Sequence, residues 1–141
     1  MRIDLVFLLR LAGLLHLGLI TAGLLMPKVV RMRWHLVTMP PFIRQLFWVY
    51  YTFIGFCIAG FSVITIGFAS TLAAGGALAR ALCAFFALFW TIRLCAGAFV
   101  FDMEPYLTTR AHRVGYGVLN TAFACLPVIY LLAALRPQWI R

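Results

Sequence analysis

Acidic side chains are almost absent from this chain of 141 residues, which sets only Asp4, Asp102 and Glu104 against 12 Lys and Arg. Hydrophobic residues make up 65% of the sequence, so a soluble globule would have too little polar surface to cover itself. The apolar runs are continuous rather than alternating, which favours helices over a membrane barrel. The sequence therefore predicts an integral membrane protein built from helices.

Residues that usually carry out catalysis are also scarce. The four cysteines, Cys57, Cys83, Cys95 and Cys125, form no Cys-x-x-Cys pair, and the two serines lie in no known motif. No acidic pair has a spacing that would place both carboxylates on one membrane-embedded face, and no glycine-rich phosphate loop is present. We therefore expect a protein that is not an enzyme and that holds no metal or other cofactor.

The position of the histidines bears on a haem site. His16 falls near the middle of the first apolar run, whereas the other two histidines fall in loops, so no pair at one depth can form. Ala12, Gly13 and Gly23 share the side of His16 and would let another helix come close. A histidine hydrogen-bonded between packed helices is favoured, and a single axial haem ligand is the alternative.

Four runs are long enough to cross a bilayer core, which needs about 20 apolar residues in a helix. They are Leu5–Met26, Leu46–Ala69, Ala77–Phe101 and Gly115–Leu135. The connections between them are short. The sequence thus predicts an all-α, polytopic bundle of four transmembrane helices, forming a single domain over residues 1–141.

The longest connection, residues 27–45, mixes basic and apolar side chains in the order PKVVRMRWHLVTMPPFIRQ. This mixture suits the lipid headgroup layer, where Arg31 and Arg33 meet anionic lipid and Trp34 lies at the boundary. Pro40 and Pro41 should end any helix before the second span. We expect an interfacial basic segment, with an anchor as the simplest role and a specific binding element as the alternative.

The distribution of Lys and Arg predicts the orientation of the chain. Six flank the first and third loops, namely Lys28, Arg31, Arg33, Arg44, Arg110 and Arg113, and four lie on the other side, namely Arg2, Arg80, Arg136 and Arg141. By the positive-inside rule the first and third loops are cytoplasmic, and we expect a bacterial inner membrane. Because these charges flank spans, they indicate membrane lipid rather than nucleic acid as the partner.

Arg93 is the one arginine well inside the third span, where a charge is expensive and usually marks a partner, a cavity or a functional path. Depth matching predicts that it meets the groups near the same membrane surface. Two sets of residues follow from this. The predicted structural polar cluster contains Arg93, Asp102, Glu104 and Asn120, with His16 deeper in the bundle. The predicted lipid-binding or ligand-binding set contains Arg31, Arg33, Trp34, Arg93, Asn120, Tyr50 and Tyr51.

Small residues recur along the third span with heptad-like spacing, at Ala77, Ala81, Ala84, Thr91, Cys95 and Ala98. Such a seam favours close packing against a neighbouring helix. Arg93 lies nearly opposite, so the sequence predicts that it turns either into a polar pocket of the bundle or towards another protein chain.

The spacing of Arg80 and Arg93, followed by Glu104-Pro105-Tyr106, resembles the four-helix scaffold proteins of ergosterol synthesis, and the resemblance implies a tethering role. The residues themselves leave two functions open. One is a non-catalytic membrane subunit or scaffold that binds anionic lipid or a hydrophobic ligand at a basic mouth. The other is a small homo-oligomeric transporter or channel for an anion or an anionic lipid.

Overall fold

A computed structural model describes residues 4–135, and four of its helices are long and apolar enough to cross a membrane. The helices are α1 (Leu5–Val29), α2 (Met32–Leu36), α3 (Pro41–Gly67), α4 (Ala69–Ala74), α5 (Ala77–Phe99) and α6 (Arg110–Leu135), with a 3-10 helix at Glu104–Tyr106. No strand occurs in these 132 residues. The predicted all-α bundle of four membrane-spanning helices is confirmed. Arg2, Arg136 and Arg141, which entered the charge count, lie outside the described residues.

Two helices begin earlier than predicted. α3 begins at Pro41 rather than at Leu46, and α6 begins at Arg110 rather than at Gly115. Hydropathy marks the part of a helix that can cross hydrocarbon, whereas each of these helices starts with a turn that contains basic residues, Arg44 in α3 and Arg110 and Arg113 in α6. Pro41 occupies the first helical position, where its missing N–H costs no hydrogen bond, so the proline pair starts α3 as it ends the preceding segment.

The spanning helices form an antiparallel bundle in which α1 packs against α3 and α6, and α5 packs against α6. Gly13 permits the closest approach between α1 and α3, since a Cβ there would collide with the side chain of Ile66. The short helix α4 contacts both α1 and α5 and closes one end of the bundle with Leu72. All the loops that carry basic clusters lie at the opposite end, which we call the basic end.

Burial divides the bundle into two halves. The buried residues of the spanning helices fall in 5–19 of α1, 62–65 of α3, 79–90 of α5 and 122–133 of α6, and we call this part the packed half. In the part of these helices nearer the basic end, the basic half, no described residue is buried. The helices therefore make a tight core far from the basic end and present more of their surface near it.

The small-residue stripe of α5 faces outward. Its members are all exposed, namely Ala77, Ala81, Ala84, Thr91, Cys95 and Ala98. Within the described residues, no helix of the same chain packs against this seam. Phe86 and Trp90 lie on the inner face instead. Ala79, Cys83 and Ala87 are buried beside these rings, so small residues occur on both faces of α5 and their spacing gives no inward signal.

Candidate functional site

The centre of the packed half holds a polar network built around His16, whose side chain is fully buried. Its Nδ1 lies 2.7 Å from the carbonyl oxygen of Ala12, and its Nε2 lies 3.0 Å from the indole nitrogen of Trp90. A carbonyl can only accept and an indole N–H can only donate, so the neutral ring carries its proton on Nδ1. Both ring nitrogens are engaged, which leaves no lone pair of His16 free for a haem iron.

Two further hydrogen bonds complete this network. The hydroxyls of Thr65 and Tyr130 are 2.6 Å apart, and the Ser62 hydroxyl donates to the carbonyl of Gly13 at 2.9 Å. The His16 ring lies 5.9 Å from that of Tyr130, centre to centre. Three separate hydrogen bonds thus join α1 to α5, α1 to α3 and α3 to α6 in this part of the bundle, and together they favour one register of the helices.

Arg93 lies on the inner side of α5, just beyond the packed half, and is half-buried. Its guanidinium carbon is 4.6 Å from the ring centre of Phe123 and 5.3 Å from that of Phe101. A Cβ at Gly97 would come within 3.3 Å of Nη1, so the side chain runs over this glycine towards the end of α5. Because helical side chains ordinarily tilt the other way, Gly97 and the two rings give Arg93 its route towards the basic end.

The acidic residues of the predicted polar cluster lie elsewhere. Asp102 and Glu104 are exposed, and a carboxylate oxygen of Asp102 accepts the backbone N–H of Glu104 at 3.2 Å. Asn120 is half-buried on α6. Within residues 4–135, no hydrogen bond or ion pair joins Arg93 to these three residues or to His16. Arg93 therefore meets aromatic rings where the sequence predicted polar partners.

The predicted lipid-binding residues are distributed over the basic end. Arg31 and Trp34 are exposed on the segment between α1 and α3, and Tyr50 is exposed on α3. Tyr51 donates its hydroxyl hydrogen to the carbonyl of Gly23 and so links α3 to α1. Tyr50 and Tyr51 thus lie in the basic half of α3.

One cavity brings basic and apolar residues together at this boundary. It has a volume of about 400 Å³ and is lined by Arg33, Leu36, Val37, Arg44 and Trp48. We call it the interfacial groove. Of its residues the sequence predicted Arg33 as a site residue, and it missed Arg44 and Trp48. The signal that could have found them is their i, i+4 spacing near the start of α3, which puts Arg44 and Trp48 on one face of the helix.

Comparison with protein families, with curated proteins and with solved structures finds no match for this chain. The candidate sites therefore stand on the geometry of the described residues.

Proposed function

We propose that this chain is a non-catalytic membrane subunit or scaffold, which assembles with other membrane proteins or with itself and meets anionic lipid at its basic end. The outward small-residue stripe of α5 carries the proposal. Small residues concentrate where membrane helices approach closely, and within the described chain no helix covers this stripe. A helix of a neighbouring chain could pack against it without a large side chain in the way.

The filled interior supports a structural role over a path through one chain. Phe86, Trp90 and Tyr130 occupy the packed half with at most 1% of their surface exposed, and the polar groups around them are bonded to each other. A transporter or channel, the alternative function, would therefore need to place its path between copies. The unpaired cations of the basic end would suit an anionic cargo there.

The proposed contact with anionic lipid and the proposed membrane location rest on the distribution of charged residues. Residues 28–44 at the basic end carry Lys28, Arg31, Arg33 and Arg44 and no acidic residue. Each Lys or Arg near an anionic leaflet contributes about 1 kcal/mol of attraction. We therefore place the basic end at the cytoplasmic face of a bacterial inner membrane.

The test enlarges the stripe and measures assembly. We expect Ala81→Leu and Ala84→Leu to reduce the oligomer or complex isolated in mild detergent by severalfold, because leucine prevents close approach of a second helix. Ala124→Leu is the matched control, since Ala124 is exposed on α6 outside the stripe. Oxidation of Cys95 gives a covalent dimer if two copies meet along α5. A wild-type protein that is monomeric, or equal assembly of all three variants, would overturn the proposal.

A further inference from the structure

The interfacial groove lies between α2, which packs against α1, and the first turns of α3. Leu36, with 4% of its surface exposed, fixes α2 on the bundle. Arg33 and Val37 then line one side of the groove, and Arg44 and Trp48 line the other. The groove thus combines two guanidinium groups with an apolar floor at the membrane boundary.

The backbone at Arg31 sets this arrangement. Its φ of 48° and ψ of 42° are left-handed, and it is the only described residue other than glycine with a positive φ. Its carbonyl accepts the N–H of Trp34 at 2.9 Å, so the reversal leads directly into α2. A non-glycine residue in this conformation costs about 1 kcal/mol and persists where the surroundings require it. Here the reversal brings Arg33 to the same cavity as Arg44.

Within the described chain, no acidic residue lines the groove. Asp4 lies at the far end of the bundle, and Asp102 and Glu104 follow α5. Over residues 4–135, neither Arg33 nor Arg44 makes an ion pair or a side-chain hydrogen bond. Two guanidinium forks facing one cavity match the oxygens of a phosphate group, which each can bind through two parallel hydrogen bonds.

An apolar depression continues from the groove along α3. It has a volume of about 300 Å³ and is lined by Trp48, Val49, Thr52 and Phe53. The Thr52 hydroxyl donates to the carbonyl of Trp48 at 2.9 Å, so it needs no outside partner. Trp48 belongs to both cavities and joins the charged part to the apolar part. This order, a cationic pocket followed by an apolar channel towards the hydrocarbon layer, matches the order of groups in a phospholipid.

We propose that the interfacial groove binds one anionic phospholipid, with its phosphate between Arg33 and Arg44 and an acyl chain along Val49 and Phe53. The inference rests on the proposed lipid contact of the basic end and narrows it to one site and one ligand class. It does not depend on assembly through α5.

Binding is measured by native mass spectrometry on the purified full chain, titrated with phosphatidylglycerol or with phosphatidylcholine of the same acyl chains. We expect phosphatidylglycerol to bind at least tenfold more tightly. Arg33→Gln and Arg44→Gln should each weaken it about five- to tenfold, since each removes a charge next to the phosphate. Arg33→Lys should keep part of the affinity, because it retains the charge without the planar fork.

Arg110→Gln is the matched control, because Arg110 is an exposed arginine at the same end of the bundle and lies outside the groove. We expect Arg110→Gln to change the affinity for phosphatidylglycerol less than twofold. An equal loss in Arg110→Gln and Arg44→Gln would show a general attraction and overturn the site. Circular dichroism and melting of each variant show whether it is folded. If a glutamine variant does not fold, Arg33→Lys still tests the contact between Arg33 and the lipid phosphate.

Two further arms separate the ligand sources. Glycerol phosphate and inorganic phosphate should fail to displace phosphatidylglycerol at concentrations where the lipid saturates, because they cannot fill the depression along α3. Full displacement by either would replace the lipid with a soluble anion and overturn the inference. The oligomeric state is read from the same spectra. A wild-type protein that assembles but does not bind phosphatidylglycerol contradicts the lipid site and leaves the subunit proposal standing. A wild-type protein that binds the lipid but does not assemble contradicts the subunit proposal and leaves the lipid site standing.

Discussion

His16 has two partners with opposite hydrogen-bonding roles, one carbonyl that accepts and one indole that donates. This pairing stabilises a single tautomer and a single ring orientation in the centre of the packed half. A buried polar group is costly mainly when it loses its partner, and less costly when both partners are removed together. The Trp90–His16 bond is therefore expected to show a strong coupling between the two positions.

At this residue scale we predict that Trp90→Phe lowers the melting temperature in detergent. The substitution removes the N–H that bonds Nε2 of His16 and leaves a buried acceptor unsatisfied, at a free-energy cost of roughly 0.5–2 kcal/mol. Trp34→Phe is the control, because Trp34 is 78% exposed. The double variant His16→Leu/Trp90→Phe should lose less stability than the sum of the losses in the two single variants. Strict additivity would contradict the bond.

Arg93 shows the limit of reasoning from sequence at this scale. Its depth in the third span was open to prediction from residue spacing, whereas its aromatic partners were not. The direction of its side chain depends on the space above Gly97 and on the rings of Phe101 and Phe123. Those contacts join residues on α5, the following loop and α6, so they follow from tertiary packing and not from spacing along one helix.

Arg80 connects two helices at the scale of the element. It lies in the first turn of α5, and its Nε and Nη2 donate to the carbonyls of Ala134 and Leu135 at 3.1 and 3.3 Å. Hydrogen bonds from a charged donor to carbonyl oxygens are stronger than those between neutral groups. Arg80 thus stabilises the last described turn of α6 from the neighbouring helix.

We predict that Arg80→Gln loosens this turn. Hydrogen exchange of the amides in residues 131–135 should become faster, and the helix should lose roughly 0.5–1.5 kcal/mol of stability because the hydrogen bonds from Arg80 are lost. Arg10→Gln is the control, since Arg10 is an exposed arginine on α1. Unchanged exchange in the Arg80 variant, or the same change in both, would show that the contact does not stabilise α6.

The four spanning elements could be predicted because each requires only a long apolar run, and α5 even begins at the predicted Ala77. The inner face of each helix could not, since lipid-facing and core-facing residues are equally apolar. Ala84 and Trp90 illustrate the problem: packing rules for small residues placed Ala84 inside, whereas the width of the four-helix core places Trp90 there. Of the two arginines in the groove, Arg33 was predicted as a site residue and Arg44 was not. They belong to different elements and meet only after the turn at Arg31.

At the scale of the whole molecule, the tightest packing and the basic loops lie at opposite ends of the bundle. The packed half, with its hydrogen-bond network, lies away from the basic end, and the basic half carries Arg93, the interfacial groove and the basic loops. A rigid half that holds four helices together can support a more open half that meets lipid or a partner. The side of the membrane that the basic end faces therefore decides which lipids and which proteins it can contact.

Labelling in intact cells tests this orientation. In a chain without its native cysteines, Trp34→Cys at the basic end should react with a membrane-impermeant maleimide only after permeabilisation, because the six-to-four distribution of Lys and Arg places this end in the cytoplasm. Thr71→Cys, exposed on α4 at the opposite end, should react in intact cells and serves as the paired control. The reverse pattern would place the interfacial groove on the outer face. It would also exclude cytoplasmic-leaflet lipid as the ligand of Arg33 and Arg44, so the two reporters decide the location and the lipid source together.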